Sequence, residues 1–294
     1  MMKKITTLLV SFLLCATMAT AETKLTIMNS SSKTGGFSQQ SLAYYQDLIK
    51  KYDTVNLVNP GNKCVAMKSV LPKLEGPVLL GWGSDLEAKE RQGGCGATLD
   101  VSKARIIRFV EKPQIVCQLN TKLEFTKDSG RVALNIANEK LTSKTVNAVN
   151  KTWNTKHKTI AYDGWGNGKV ALMNGEVDYL YVSPPGDRQV QDEGGLCKYD
   201  LSQGGDKSLF NLGNQNIDLV SSNIDVWLAW NMTEEQANEL QQTLKQIHYE
   251  CDTAISKWQK GCDSKGTAVQ KSEFDINKNH LTRWEQSVKL NTVK

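Results

Sequence analysis

The chain has 294 residues, with 36 Lys and Arg against 31 Asp and Glu and a formal net charge of +5 at pH 7. That excess is mild and forms no basic block, which excludes the clustered cationic stripe of a nucleic-acid-binding surface. A hydrophobic content of 39% over this length provides one large core or two moderate ones and excludes a disordered chain.

Residues 1–21 read as an export signal. Lys3 and Lys4 supply the positive start, ITTLLVSFLLCATMA the apolar run, and Ala19-Thr20-Ala21 an A-x-A cleavage site before Glu22. The apolar run is too short for a lasting membrane span. Cys15 follows Leu14 where lipoprotein processing wants a small residue, so a lipid anchor is disfavoured. The expectation is an exported, soluble chain, cleaved after Ala21, with a net charge of about +3 once both lysines are gone.

KLTIMN reads as a strand, followed by the glycine loop SSSKTGG and a helix on which Leu42, Tyr45 and Ile49 recur at helical spacing. VNLVN is a second strand ending in Asn59-Pro60-Gly61-Asn62. A helix through Val65, Ser69 and Val70 follows and breaks near Pro72. PVLLGWGSD is a third strand with its loop. ARIIRFVEKPQIVCQLN is long, β-branched and interrupted once by proline, as an extended connection between two lobes would be. A second set then begins: VALNIA as strand, ANEKLTS as loop, and SKTVNAVNKTW as a helix with Val146, Val149 and Trp153 on one face. TIAY, DGWGNG, KVALMNG and EVDYLYVSPP spell strand, loop, short helix and strand. GGLCKYDLSQ returns toward the first lobe and DVWLAW adds a strand. Thr233-Glu234-Glu235-Gln236 is a capping box opening a helix with Leu240, Leu244, Ile247 and Cys251. Ser272 is expected to cap a terminal helix whose Phe274, Leu281, Trp284 and Val288 share a face. Strands alternating with helices predict parallel sheets in βαβ units, and a chain that crosses out and back predicts two α/β lobes.

Ligands of open α/β sheets collect at the carboxyl ends of strands. The loops expected there are SSSKTGG, NPGN, GWGSD, ANEKLTS, DGWGNG and VSPP, which supply hydroxyls, amides, glycines and two tryptophans, Trp82 and Trp165. Glycine admits close backbone approach, and helix N-termini offer N–H groups to an anion. Singly, each feature also fits a plain structural role: Gly35-Gly36 a turn, the tryptophans packing residues, Lys33 a solvated cation, and Asp163 an orienter of its own loop. No H-E-x-x-H, G-x-S-x-G or phosphate-loop pattern occurs, and the serines of SSSKTGG have no evident base partner, which disfavours a secreted hydrolase. His157, His248 and His280 are scattered and no C-x-x-C occurs, so neither a metal site nor a cofactor is expected. Cys64, Cys95, Cys117, Cys197, Cys251 and Cys262 remain after cleavage. An even number in an exported chain favours disulfides, with fifteen possible connectivities.

Four stretches, in order, resemble the solute-binding subunit of tripartite tricarboxylate transporters, the Bug-type periplasmic receptors. KLTIMNSSSKTGGFSQQSLAYYQDL is similar to that family's first strand, glycine loop and helix, and VNLVNPGNKCVA to its second strand and Asn-Pro-Gly turn. IAYDGWGNGKVALMNGEVDYLYVSP resembles its tyrosine–x–glycine loop, short helix and G-x-V-D strand, and KSEFDINKNHLTRWEQSVKLNTVK its closing helix. The chain departs from the family at Gln39, where an aspartate is usual, at Asn62-Lys63-Cys64, which replaces a glycine-rich run, and in its six cysteines. The resemblance implies a two-lobed type II periplasmic binding protein fold with two crossing hinge strands. Residues 22–115 with about 221–294 would form lobe 1, and about 116–220 lobe 2. It implies a monomeric, periplasmic receptor that delivers a small di- or tricarboxylate-like anion to membrane transporter subunits and performs no catalysis. The lost aspartate, with Lys33 and Lys63, leaves open another anion such as phosphate or sulfonate, or service to a sensor kinase. The ligand set carried over is Ser31, Thr34, Gly35, Gly36, Asn59 and Ser84 from lobe 1, and Asn138, Ser143, Gly164 and Ser183 from lobe 2, walled by Trp82 and Trp165. On this architecture the expected disulfides are Cys64–Cys95, Cys117–Cys197 across the outgoing and returning crossings, and Cys251–Cys262 at a helix end.

Overall fold

A computed structural model describes residues 23–29, 36–61, 63–92, 104–111, 115–136, 139–183, 186–200, 224–250, 252–255 and 271–292. Strands β1 (Lys24–Met28), β2 (Thr54–Val58), β3 (Val78–Gly83), β4 (Ala104–Glu111), β10 (Ile224–Trp230) and β11 (Lys271–Glu273) form one sheet, in the order β11-β4-β10-β3-β1-β2. The other contains β5 (Ile115–Gln118), β6 (Arg131–Asn135), β7 (Lys158–Tyr162), β8 (Tyr179–Val182) and β9 (Leu196–Asp200), in the order β7-β6-β8-β5-β9. In the first sheet β1 runs parallel to β2 and β3, and β10 lies antiparallel between β3 and β4. In the second, β6 runs parallel to β7 and β8, while β5 is antiparallel to β8 and β9.

The chain passes between sheets through the three residues that separate β4 from β5, and it returns between β9 and β10. Both passages leave and enter as neighbouring strands. Ile224 pairs with Glu111 in the first sheet, and Ile115 pairs with Asp200 in the second. The outgoing passage is the one the extended run ARIIRFVEKPQIVCQLN announced, and the returning one follows β9, within GGLCKYDLSQ. This is a mixed α/β architecture of two sheets joined by two crossings, the two lobes expected from the sequence.

Each sheet is buried on both faces, as the continuous apolar strands LTIM, VLLGWG and YLYV require of parallel sheets covered by helices. On one face of the first sheet Leu25, Ile27, Tyr44, Leu48 and Trp227 pack together. On the other lie Met28, Leu80, Trp82, Phe109, Trp284 and Val288. The second sheet divides likewise between a cluster around Phe125, Val146, Val149 and Tyr179 and one around Ile115, Leu172, Leu180 and Val190.

The helices are α1 (Gly36–Leu48), α2 (Lys63–Val65, running on into π and 3-10 turns to Lys73), α3 (Ser84–Arg91), α4 (Glu139–Trp153), α5 (Trp165–Met173), α6 (Gly186–Asp192), α7 (Glu234–Tyr249) and α8 (Lys278–Thr292). Several expectations are corrected here. On α1 Leu42 is 44% exposed, and Ile49 just beyond it is 47% exposed. The buried face is instead Phe37, Ser38, Gln40, Ser41, Ala43, Tyr44, Asp47 and Leu48, half of it polar and therefore invisible to a reading by hydrophobicity. Glu139 to Thr142, expected in a loop, already belong to α4, and Trp165 to Gly168 of the expected loop DGWGNG belong to α5. Ser272 lies in β11, ahead of the helix that begins at Lys278. Asn277 caps α8, its Oδ1 accepting from the N–H groups of Asn279 and His280. Leu281 is 46% exposed, so the buried stripe of α8 is Trp284, Ser287 and Val288. The capping box at Thr233 is present, with the Thr233 and Gln236 side chains satisfying each other's backbone N–H.

The Cys117–Cys197 disulfide joins register partners on β5 and β9. Cys64 is disulfide-bonded as well. Its expected partner Cys95, and both members of the expected Cys251–Cys262 pair, lie outside the described residues.

Candidate functional site

The registers place the strand ends. Gly83, the last residue of β3, pairs with Asp225, and Asp225 pairs on its other side with Val110, one residue before β4 leaves the sheet. The carboxyl ends of parallel β1, β2 and β3 therefore lie on the edge from which the chain crosses. In the second sheet β5 enters at Ile115, which pairs with Val182, the last residue of β8. Since β6 and β7 run parallel to β8, their carboxyl ends lie on that same edge. Six strand ends thus meet across a three-residue connection, the position at which open α/β sheets hold ligands. The residues that close these ends, Asn29, Asn59, Ser84, Ile136, Asp163 and Ser183, include no cation.

On the first-lobe side a polar network ties β1, β2 and α1 together. Asn29 is 1% exposed, and its Nδ2 donates to Ser41 Oγ at 2.8 Å while its Oδ1 accepts from Ser38 Oγ at 3.3 Å. Asn59 Nδ2 donates to Ser38 Oγ at 2.7 Å, and Asn59 Oδ1 accepts from the N–H of Gly61 at 3.0 Å. Ser41 in turn donates to the Phe37 carbonyl. Every buried group here has a partner, so the first turns of α1 are fixed against the ends of two strands.

On the second-lobe side Gly164 takes φ 82° at the start of α5, a conformation that disfavours any side chain. It sets Trp165, half-buried, against the start of α6. A Cβ on Gly186 would come within 3.2 Å of the Trp165 ring and 2.4 Å of Val182, so glycine is required for this close packing. The Ser183 carbonyl accepts from the Gly186 N–H at 2.9 Å, and Ser143, half-buried, lies two turns into α4 at most.

Of the residues expected at the site, Asn59, Gly164, Trp165 and Ser183 lie at these strand ends, Ser143 in α4, and Gly36 opens α1. Ser31, Thr34, Gly35 and Asn138 lie outside the described residues. Trp82 is placed differently from its expected role as a cleft wall. It is 1% exposed in the first-sheet core beside Leu86 and Trp284, and its Nε1 donates to Glu87 at 2.8 Å. Ser84 is fully buried, and its Oγ accepts from Ser287 at 2.7 Å. Sequence reasoning missed Asn29, Ser38 and Ser41, which carry the network. It also missed Asp187 in the first turn of α6, 3% exposed, whose Oδ1 has no hydrogen-bond partner among the described residues. Burial pushes this carboxyl above the ordinary carboxylate range, against the backbone N–H groups of Arg188 and Asp187 itself, which lower it. Among the described residues, no cluster of His, Cys, Asp and Glu could hold a metal ion, and no helix is long and apolar enough to cross a membrane.

No protein-family model matches the sequence, and no curated protein matches it significantly. Solved structures do match. A TctC solute binding protein from Polaromonas superposes with a TM-score of 0.60 at 16% identity, over 91% of this chain and 97% of that one. The fold is that of the TctC and BugD periplasmic binding proteins. BugD superposes with a TM-score of 0.63 at 11% identity, covering 92% of this chain and 95% of its own. MatC from Rhodopseudomonas palustris, with bound malate, gives 0.60 at 11% identity over 90% and 98%. The resemblance read from four short motifs therefore extends, as shared periplasmic-binding-protein fold, over nearly the whole chain.

Proposed function

We propose that the chain is an extracytoplasmic solute-binding receptor that captures a small organic carboxylate between its lobes and delivers it to a membrane transporter. The observation that carries this reading is the meeting of six strand ends across the crossing strands, four of them closed by an amide or hydroxyl residue, Asn29, Asn59, Ser84 and Ser183. A carboxylate withdrawn from water needs several charge-assisted hydrogen bonds, and neutral donors provide them without a fixed counter-ion. The malate bound by MatC, a protein of the same fold, supports the ligand class.

In this reading residues 1–21 direct export to the periplasm. Lobe 1 comprises 22–115 with about 221–294, and lobe 2 about 116–220. Ser31, Thr34, Gly35, Gly36, Asn59, Asn138, Ser143, Gly164 and Ser183 supply donors, Trp165 walls the cleft, and the protein acts as a monomer without turnover. Trp82 and Ser84 support the strand end from within the core. Closure is a hinge motion about the crossing strands. The test is thermal shift and calorimetry with a panel of organic acids including malate, adipate and citrate, with phosphate and alkyl sulfonates as competitors. A rise in melting temperature with a di- or tricarboxylate is expected. No response to any organic acid overturns the proposal, and a response to sulfonate or phosphate alone replaces its ligand class.

A further inference from the structure

Gln40 is fully buried in the second turn of α1, and its Oε1 is shared between two donors. Arg108 Nη1 reaches it at 3.0 Å and Trp227 Nε1 at 2.9 Å. Arg108 lies on β4 and Trp227 on β10, and the two are register partners at a point where the pairing slips, between Trp227 and Leu228. These strands carry the chain out to the second sheet and back. One side-chain oxygen of α1 therefore holds both crossing strands.

The neighbouring turns reinforce the seat. Phe37 meets the Trp227 ring edge-on at 5.5 Å and Tyr44 does so at 5.2 Å. Tyr44 accepts from Arg108 Nη1 at 2.5 Å, lies beneath its guanidinium, and sits 2.6 Å from His248 Nε2. Burial pushes the Tyr44 hydroxyl up to about 12, so it stays a protonated phenol while accepting from Arg108. On the side of the helix toward the strand ends, Ser38 and Ser41 bind Asn29 and Asn59. One helix thus touches the cleft wall through its serines and the hinge through its glutamine, within a single turn. A leucine would fill position 40 without the cost of a buried amide, whereas an amide there fixes the angle between three elements.

We propose that Gln40 is a positioning residue that couples the crossing strands to the first-lobe wall of the cleft, so that a change in hinge twist moves α1 and the strand-end network with it. This rests on the receptor reading for its ligand, and its test has an arm that does not. Spin labels carried on unnatural amino acids at exposed Lys151 of α4 and Glu235 of α7 report the distance between lobes in the ligand-free protein. Gln40→Leu, and Trp227→Phe should Gln40→Leu not fold, are expected to broaden that distance distribution. Gln40→Glu, which keeps an acceptor for both donors, is expected to restore the wild-type distribution. With a carboxylate that binds the wild type, Gln40→Leu should weaken affinity about tenfold and Gln40→Glu much less, as loss of a shared buried acceptor implies. A lowered melting temperature with an unchanged distance distribution in both Gln40→Leu and Trp227→Phe overturns the proposal, because it leaves Gln40 a merely structural role. A wild type that binds no organic acid overturns the receptor reading instead, and the distance arm still decides for or against Gln40.

Discussion

His157 gives the second lobe a measurable dependence on pH. The ring is 6% exposed, stacked on Phe125 with centroids 4.3 Å apart and edge-on to Tyr179. Its Nδ1 accepts from the Gly130 N–H at 3.2 Å, which requires a bare Nδ1 and assigns the proton of the neutral ring to Nε2, donating to the Phe125 carbonyl at 2.7 Å. Burial holds the imidazole below its ordinary value of 6.5, outweighing the Phe125 carbonyl and the Asp178 charge, which raise it. His157→Phe keeps an aromatic ring but strands the Gly130 N–H and the Phe125 carbonyl. At about 1–3 kcal/mol for each buried group left unsatisfied, the cost is roughly 2–6 kcal/mol. That corresponds to a fall in melting temperature on the order of 5–15 °C for a chain of this size. The sign with pH follows from the depressed value. As pH falls below the ordinary histidine range, the unfolded chain takes up a proton that the folded chain refuses. The stability contributed by neutral His157 is therefore complete above that range and lost as pH falls through the folded value. Urea unfolding followed by far-ultraviolet circular dichroism, with disulfides intact, should show wild type and variant converging as pH is lowered from about 7.5 to about 5. A gap between them that stays constant over that interval refutes the assignment of a buried neutral imidazole.

Two further predictions concern the second lobe. Removing the Cys117–Cys197 bond as a paired alanine variant releases a sequence separation of 80 residues and should lower stability by roughly 4–5 kcal/mol in the chain-entropy account. An unchanged urea midpoint in non-reducing buffer would count against it. Asp187→Asn should raise the melting temperature at neutral pH, because the folded state holds the Asp187 proton more tightly than the unfolded chain and loses stability as pH rises through the raised value. The gain should vanish near the ordinary carboxylate value of 3.8, and a gain that persists there would show that charge is not its cause.

The central strands were legible because parallel strands buried on both faces are continuous apolar runs, and LTIM, VLLGWG and YLYV stand out against any background, while their order in the sheets was not read. The crossing was legible for a related reason: a β-branched stretch long enough for two strands, with one proline, has few other uses. The polar side of the first lobe was not. Asn29, Ser38, Gln40 and Ser41 look like surface residues until α1 is docked, because their burial depends on partners distant in the chain, such as Arg108 and Trp227. Trp82 misled in the opposite direction. A tryptophan between glycines at a strand end resembles a cleft wall, yet strand alternation turns it into the core, where Glu87 one turn into α3 satisfies its indole N–H. Asp187 gave no signal at all, since a carboxylate in the first turn of a helix ordinarily faces water.

Asn59 is the point where the network and the proposed ligand site can be separated from mere stability. Its side chain is half-buried at the end of edge strand β2, joins the Ser38 hydroxyl on α1, and holds the turn at Gly61. Asn59→Ala removes a donor to Ser38 and an acceptor for Gly61, both near water, so folding stability should fall by only about 1 kcal/mol. If the strand ends form the carboxylate site, the same change loosens α1 and the Asn-Pro-Gly turn together, and affinity for the best organic acid should fall about tenfold or more. Asn59→Asp keeps the acceptor and adds a negative charge at the site, so it should hold the turn yet repel a carboxylate. A variant pair in which Asp binds as well as the wild type while Ala does not would mean that Asn59 serves the turn alone. Loss of binding in both, with melting temperatures nearly unchanged, is the result expected of a cleft whose anion is held by neutral donors.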